Sequence, residues 1–235
     1  MDKIDFRNLT NPYVRNIFLS YLVEGAQFTT PDEYPIIEKW MVATKMPNEV
    51  FQWDCRHEVT NPSKTGMSFY CKDKGFTPIL NNPYRYLKKL SKYECAIGMD
   101  ASPYDNMPLV VQKGQIYANL AITYYFGSNG LKIIPNVRIG NNDTIGMLDA
   151  IPKECLIAVG TNGFTWDLEN RAIFKNQMNI VVDTLRPSGI LVYGQAYNYV
   201  FQAALYAGIP IYRYDSHTIK RNSNTKSNKL LEREI

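Results

Sequence analysis

From residue 66 onward, short runs of β-branched and aromatic residues alternate with longer stretches of helical periodicity. The short runs are "MSFYCK", "ECAIGMD", "KIIPNV", "CLIAVG", "GILVYG" and "IPIYRYD". Several are continuously apolar, as expected of strands covered on both faces. Between them lie helix signals. "NNPYRYLKKLSKY" opens with Asn82 as cap and Pro83 at the first helical position, where the missing N–H has no intrahelical partner. "MPLVVQKGQIYANLAITYYFGSNG" has Pro108 near its start and Gly127 or Gly130 at its end. "TWDLENRAIFKNQMNIVVDTLRPSG" places Ile173, Phe174, Met178, Val181, Val182 and Leu185 on one helical face and stops at Pro187. "QAYNYVFQAALYAG" closes the series. Strand–helix alternation predicts an α/β fold of repeated βα units, its mainly parallel central sheet holding about six strands as an open sheet or an incomplete TIM-like barrel.

Residues 1–65 read differently. "NPYVRNIFLSYLVEG" carries a helix start at Asn11 and Pro12 and an apolar face. Pro31, Pro35, Pro47 and Pro62 then punctuate a mostly irregular segment. This α-containing N-terminal extension is expected to pack on the α/β core of residues 66–215 and to cover the sheet or one side of the site. Residues 216–235 read as a polar, basic, mobile tail.

Net charge is +4. Lys220, Arg221, Lys226, Lys229 and Arg233, against Glu232 and Glu234, place most of it in the tail. The body is about neutral, so overall charge neither requires nor excludes a nucleic-acid partner. The longest uncharged run, "GQIYANLAITYYFGSNGL", contains too many polar residues and glycines for a membrane span and reads as a buried helix with its cap. The N-terminus lacks a basic start and apolar core of the signal-peptide kind. These features predict a cytoplasmic protein with reduced cysteines. Cys95 and Cys155 open apolar runs, whereas Cys55, His57 and Cys71 raise a zinc site whose spacing matches no usual motif.

In a parallel α/β sheet ligands sit beyond the carboxyl ends of the strands, and here those ends are polar. "AIGMDASPYDNMP" supplies Asp100, Ser102, Tyr104 and Asp105, and "PNVRIGNND" supplies Asn136, Arg138, Asn141, Asn142 and Asp143. "GTNGF" adds Thr161 and Asn162, "YGQAYN" adds Tyr193 and Gln195, and "YRYDSH" adds Arg213 and Asp215. The catalytic candidates are the carboxylates Asp100, Asp105, Asp143 and Asp215. Asp100 and Asp143 are candidate ligands for Mg²⁺ or Mn²⁺, which use one or two carboxylates together with substrate phosphate oxygens. Arg138 and Arg213 suit phosphate or carboxylate. Asp and Asn are equally ordinary helix caps, and Asn142, Asp143, Thr165 and Asp167 each stand where a cap is wanted. Neither "GTNGF" nor "GNND" is a P-loop or a dinucleotide fingerprint. No nucleophile elbow or HExxH is present.

The ordered run D-x-S-x-Y-x-x-M-P, I-P-x-V, A-V-x-T-x-G and V-Y-G, within "MDASPYDNMP", "KIIPNV", "CLIAVGTNGF" and "GILVYG", resembles the domain-of-unknown-function family 4417 over roughly residues 66–215. That family is carried by phages, plasmids and Firmicute genomes and has no established activity. The resemblance implies a mobile-element protein working in a bacterial cytoplasm. Asp100, Ser102, Tyr104, Met107 and Pro108 are its firmer matches. "RIGNND" departs from the Trp and acidic residues common in the family after "IPNV". Metal-assisted phosphoester chemistry on a nucleotide or nucleic acid is the first functional expectation. A non-enzymatic factor that sequesters a nucleotide or docks on a host protein, with Tyr104, Tyr193 and Tyr197 as stacking surfaces, is the second. A replication-associated DNA binder using the basic tail is the third.

Overall fold

Seven short strands carry the fold in the computed structural model, which describes residues 19–161 and 167–224. They are β1 (Glu49–Gln52), β2 (Thr65–Ser68), β3 (Cys95–Ile97), β4 (Ile133–Ile134), β5 (Leu156–Gly160), β6 (Gly189–Tyr193) and β7 (Ile211–Tyr214). Every pairing between these strands is parallel. β2, β3, β5 and β6 are buried along their whole length, whereas the outer strands β1 and β7 are mixed. Continuous burial is what the uninterrupted apolar runs predict for strands covered on two faces.

The strands form two sheets, β1-β2-β3-β4 and β5-β6-β7, and not the single sheet of about six strands expected from the alternation. The break falls at Pro135. Val137 N–H donates to the Ala158 carbonyl, and Ala158 N–H donates to the carbonyl of Pro135, both at 2.8 Å. Two residues before Val137, the nitrogen facing β5 belongs to proline and has no hydrogen to give. Among the described residues, the isolated bridge Asn136↔Ala158 is the one backbone bridge between the two sheets. The other edge of Ile133 is taken by the N-terminal segment, through the parallel bridge Val42↔Ile133. Among the described residues no ladder joins β1 to β7, so the barrel is not closed.

The helices are α1 (Asp73–Asn81), α2 (Tyr84–Leu90), α3 (Leu109–Ser128), α4 (Leu168–Leu185), α5 (Gln202–Tyr206) and α6 (His217–Asn224). α3 ends as its glycines predict. Gly130, at φ 87°, donates to the Gly127 carbonyl and Leu131 donates to that of Phe126, the paired bonds of a left-handed helix stop. Asp167 caps α4 by accepting from Asn170 N–H at 2.8 Å. The buried face of α4 includes Phe174, Met178, Val181, Val182 and Leu185 as expected, but Gln177 is buried with them and Ile173 is exposed. α1 was not expected, because Gly75 and Pro78 obscure its pattern.

Two terminal expectations change. Among the described residues of the N-terminal segment there is no α-helix; residues 1–18 lie outside them, Ser20–Val23 is a 3₁₀ turn, and the segment contributes strand β1. Ser216 is buried, its hydroxyl accepts from Ile219 N–H, and α6 follows. No helix among the described residues is long and apolar enough to cross a membrane.

Close approach of β3 to the chain beyond β4 requires glycine at residue 98. A Cβ there would lie 2.7 Å from the Asn136 backbone nitrogen, which cannot yield as a flexible side chain would. Gly98→Ala is expected to lose about 1–3 kcal/mol of stability, the usual cost of overpacking a core, measured as a lower urea midpoint at unchanged slope.

Candidate functional site

The end of β3 is polar because α3 presents polar groups to it. The Asn119 side chain accepts from Ala101 N–H and donates to the Ala101 carbonyl, both at 2.9 Å. Thr123 accepts from Met99 N–H at 3.2 Å and donates to the Asn119 carbonyl. The residues on either side of Asp100 are therefore each fixed to α3. One face further along, Gln112, fully buried, donates to the carbonyls of Asp105 and Met107 and accepts from Asn141 N–H. It ties the loop after β3 to the loop after β4.

Asp100 is buried, at 8 % exposure. Its Oδ1 accepts from Asn136 Nδ2 at 2.8 Å, and Arg138 Nε lies 3.8 Å from the same oxygen. At that separation Nε acts on Asp100 through charge and not through a hydrogen bond. Asn136 also donates to the Met99 carbonyl and accepts from the Tyr70 hydroxyl at 2.8 Å. Tyr70 stacks on Tyr193, with ring centroids 5.3 Å apart. Tyr193 in turn donates to Gln52 and accepts from His217 N–H. This continuous chain of partners runs from β1 across β6 to the end of β3.

Desolvation dominates the electrostatics. It raises the Asp100 carboxyl above its ordinary value, against the lowering effect of Arg138 and of the Asn136 hydrogen bond. Burial also pushes the Tyr70 hydroxyl well up, with the Asp100 charge adding to it, so Tyr70 remains a donor. A cavity of about 10 Å³ lies beside the cluster, lined by Met99, Asn119, Thr123, Asn136 and Arg138 among others. That is room for about one water molecule.

Of the predicted residues, Asp100, Asn136, Arg138 and Tyr193 belong to this connected cluster. Thr161 is buried beside it and donates to the Tyr193 carbonyl from both its N–H and its hydroxyl. The others stand apart. Ser102 is half-buried, while Tyr104, Asp105 and Gln195 are exposed. Asn141 is the cap of the 3₁₀ segment Asn142–Ala150, accepting from Asp143 N–H, and Asp143 is exposed in its first turn. Arg213 donates to Asp215 at 2.7 Å in a half-exposed pair. Asn162 lies outside the described residues. Asp100 and Asp143 share no group of three ligand side chains among the described residues. Among the described residues one such group exists, Cys55, Glu58 and His217, which unites Cys55 with partners other than His57 and Cys71. Tyr70, Gln112, Asn119 and Thr123 were missed. The signal for the last three was polar residues recurring at positions 112, 119 and 123 within an otherwise apolar helix.

These features define a parallel α/β protein with one buried, charge-bearing polar cluster at the strand ends. The model of the domain of unknown function DUF4417 matches residues 30–215, and the chain belongs to that family. The match takes in β1 as well as the later strands, and so begins well before residue 66. The chain is also similar to the Gene 1 protein of Mycobacterium phage L5, 24 % identical over 153 residues, which cover 64 % of this chain and 67 % of that protein. The Gene 1 protein of Mycobacterium phage D29 is 24 % identical over 155 residues, 65 % of this chain and 57 % of that protein. The chain thus spans little more than half the length of the second relative. No solved structure matches it.

The raised Asp100 value fixes a sign for the pH dependence. The native state holds this proton more tightly than the unfolded chain, so Asp100 contributes stability below the ordinary carboxylate value of about 3.9. That contribution is lost as pH rises through the raised value. The melting temperature of wild type minus that of Asp100→Asn is expected to fall from about pH 4 upward. A difference that grows with pH would mean that Arg138 overcomes desolvation.

Proposed function

We propose that this phage-type protein engages a phosphate-bearing ligand, a nucleotide or nucleic acid, at the carboxyl ends of its strands, with Arg138 as the phosphate contact. The observation that supports this reading is the convergence of Asp100, Asn136 and Arg138 from the ends of two neighbouring strands. In parallel sheets that edge is where ligands bind, and a guanidinium oriented by a carboxylate suits phosphate oxygens. The small adjoining cavity fits a single phosphate oxygen or water better than a whole nucleotide, so base and sugar would lie over the exposed loops, where Tyr104 offers a stacking face.

A second reading adds chemistry. Mg²⁺ or Mn²⁺ at Asp100 would supply an activated water for phosphoester cleavage. The adjacency of a carboxylate and a guanidinium favours it. Against it stands the burial of Asp100, since hard cations at protein carboxylates are usually partly hydrated.

Thermal unfolding of wild type, Asp100→Asn and Arg138→Gln, with a mixed nucleotide panel in the presence and absence of Mg²⁺ or Mn²⁺, separates the readings. A ligand at about one hundred times its dissociation constant adds ~2.7 kcal/mol of stability. Binding alone predicts a nucleotide-dependent rise in wild type without metal, lost in Arg138→Gln. The catalytic reading predicts a rise that needs metal and vanishes in Asp100→Asn. Wild type insensitive to every combination would overturn both.

A further inference from the structure

We propose that Cys55, Glu58 and His217 form a zinc site that fastens the segment after β1 to the helix after β7. Their donor atoms, Sγ, a carboxylate oxygen and an imidazole nitrogen, all lie within 4.8 Å of one another. His217 Nε2 is 3.3 Å from Glu58 Oε1. Zinc takes this mixture of sulfur, nitrogen and oxygen donors at about 2.0–2.3 Å in a tetrahedron. The ligand atoms would close in by about 1 Å at most, within the reach of side-chain rotation.

The backbone brings the three together for definite reasons. Cys55 and Glu58 lie three residues apart in the 3₁₀ segment Trp53–Glu58. With three residues per turn, positions i and i+3 of a 3₁₀ helix eclipse one another, so both side chains share one face. His217 begins α6, and its place is held by the buried Ser216 cap and by its own N–H donating to the Tyr193 hydroxyl at 3.1 Å. A fourth position remains for water or for His57, whose Nε2 is 3.7 Å from the same Glu58 oxygen.

The location gives the site a purpose in the fold. β1 and β7 are the outer strands of the two sheets, and no ladder joins them. The gap is crossed by side chains: Tyr214 donates to the Pro47 carbonyl, Tyr193 donates to Gln52, and the Lys220 ammonium lies 4.7 Å from the Phe51 ring centre. A metal at Cys55, Glu58 and His217 would clamp this seam where the backbone does not. It would also brace Tyr193, whose ring supports Tyr70 and through it Asn136.

The test uses the full chain, stripped of metal by chelator and dialysed. It is expected to take up one equivalent of Zn²⁺, to melt at a higher temperature as Zn²⁺ is raised, and with Co²⁺ in place of Zn²⁺ to show a thiolate-to-metal charge-transfer band. Cys55→Ser should abolish that band. His217→Asn and Glu58→Gln should each weaken Zn²⁺ binding by more than the ~10–100-fold that outer-shell changes cost, whereas Cys155→Ala, at a buried cysteine just before β5, should not. His217 is about one-third exposed (32 % for the side chain), so its replacement decides the matter even if Cys55→Ser fails to fold. No Zn²⁺ uptake by wild type, or uptake of undiminished affinity in His217→Asn, would overturn the proposal.

Discussion

The hydrogen bonds of Asn136 tie together the strand ends of the first sheet, at the point where its neighbours Pro135 and Val137 bond to the second. Among the described residues Asn136 stands at the one backbone bridge between the sheets, opposite Ala158, whose bonds are made by the Val137 N–H and the Pro135 carbonyl. Its amide donates to the Met99 carbonyl and the Asp100 carboxyl, and its carbonyl accepts from Tyr70. A residue with a single donor or a single acceptor would leave at least one of these buried groups unpaired. Such a loss typically costs about 1–3 kcal/mol for each group left unsatisfied. Pro135 removes the next ladder bond toward β5, while the side chain of Asn136 works on the opposite side and links the chain beyond β4 to the ends of β2 and β3.

Burial of Asp100 follows from the same arrangement. Asn119 and Thr123 fix Met99 and Ala101, so the aspartate between them has little freedom to reach solvent. The carboxyl accepts a hydrogen bond from Asn136 and has the Arg138 Nε at 3.8 Å. Desolvation outweighs both. A carboxyl so placed is better suited to orienting Arg138, or to holding a proton, than to being an open cation ligand. The charge-bearing site is thus a consequence of how α3 packs, and α3 packs as it does because its buried face carries amides and a hydroxyl among apolar side chains.

At the opposite seam, between β1 and β7, side chains make the links: Tyr214 to the Pro47 carbonyl and Tyr193 to Gln52. Tyr193 takes part in both regions: its ring stacks on Tyr70, and its hydroxyl links Gln52 to the start of α6. Aromatic rings fit this task because a large apolar body can be buried while the hydroxyl still finds partners. The two regions are therefore mechanically continuous, and a change at the seam has a short physical route to Asp100.

The alternation of apolar runs and helical stretches pointed to six of the seven strands: continuous burial leaves an uninterrupted apolar run at β3, β5 and β6, whereas "MSFYCK" overlaps β2 only at Met67 and Ser68, and β7 is half-buried or exposed. β1 escaped it: "EVFQ" is an outer strand, buried on neither face for most of its length, and prolines surround it. The polar character of the strand ends was legible too, and it drew attention to Asp100, Asn136 and Arg138. The sequence could not say which polar groups meet. Asp143 and Asp215 look the same as Asp100 in a linear reading, yet one sits exposed in a first helical turn and the other is paired with Arg213 two residues away. Tyr70, Asn119 and Gln52 are separated from their partners by 66, 18 and 141 residues. Local pattern reports which face of an element is buried. Which distant side chains share that burial was decided only when the sheets split at Pro135 and closed around Asn136.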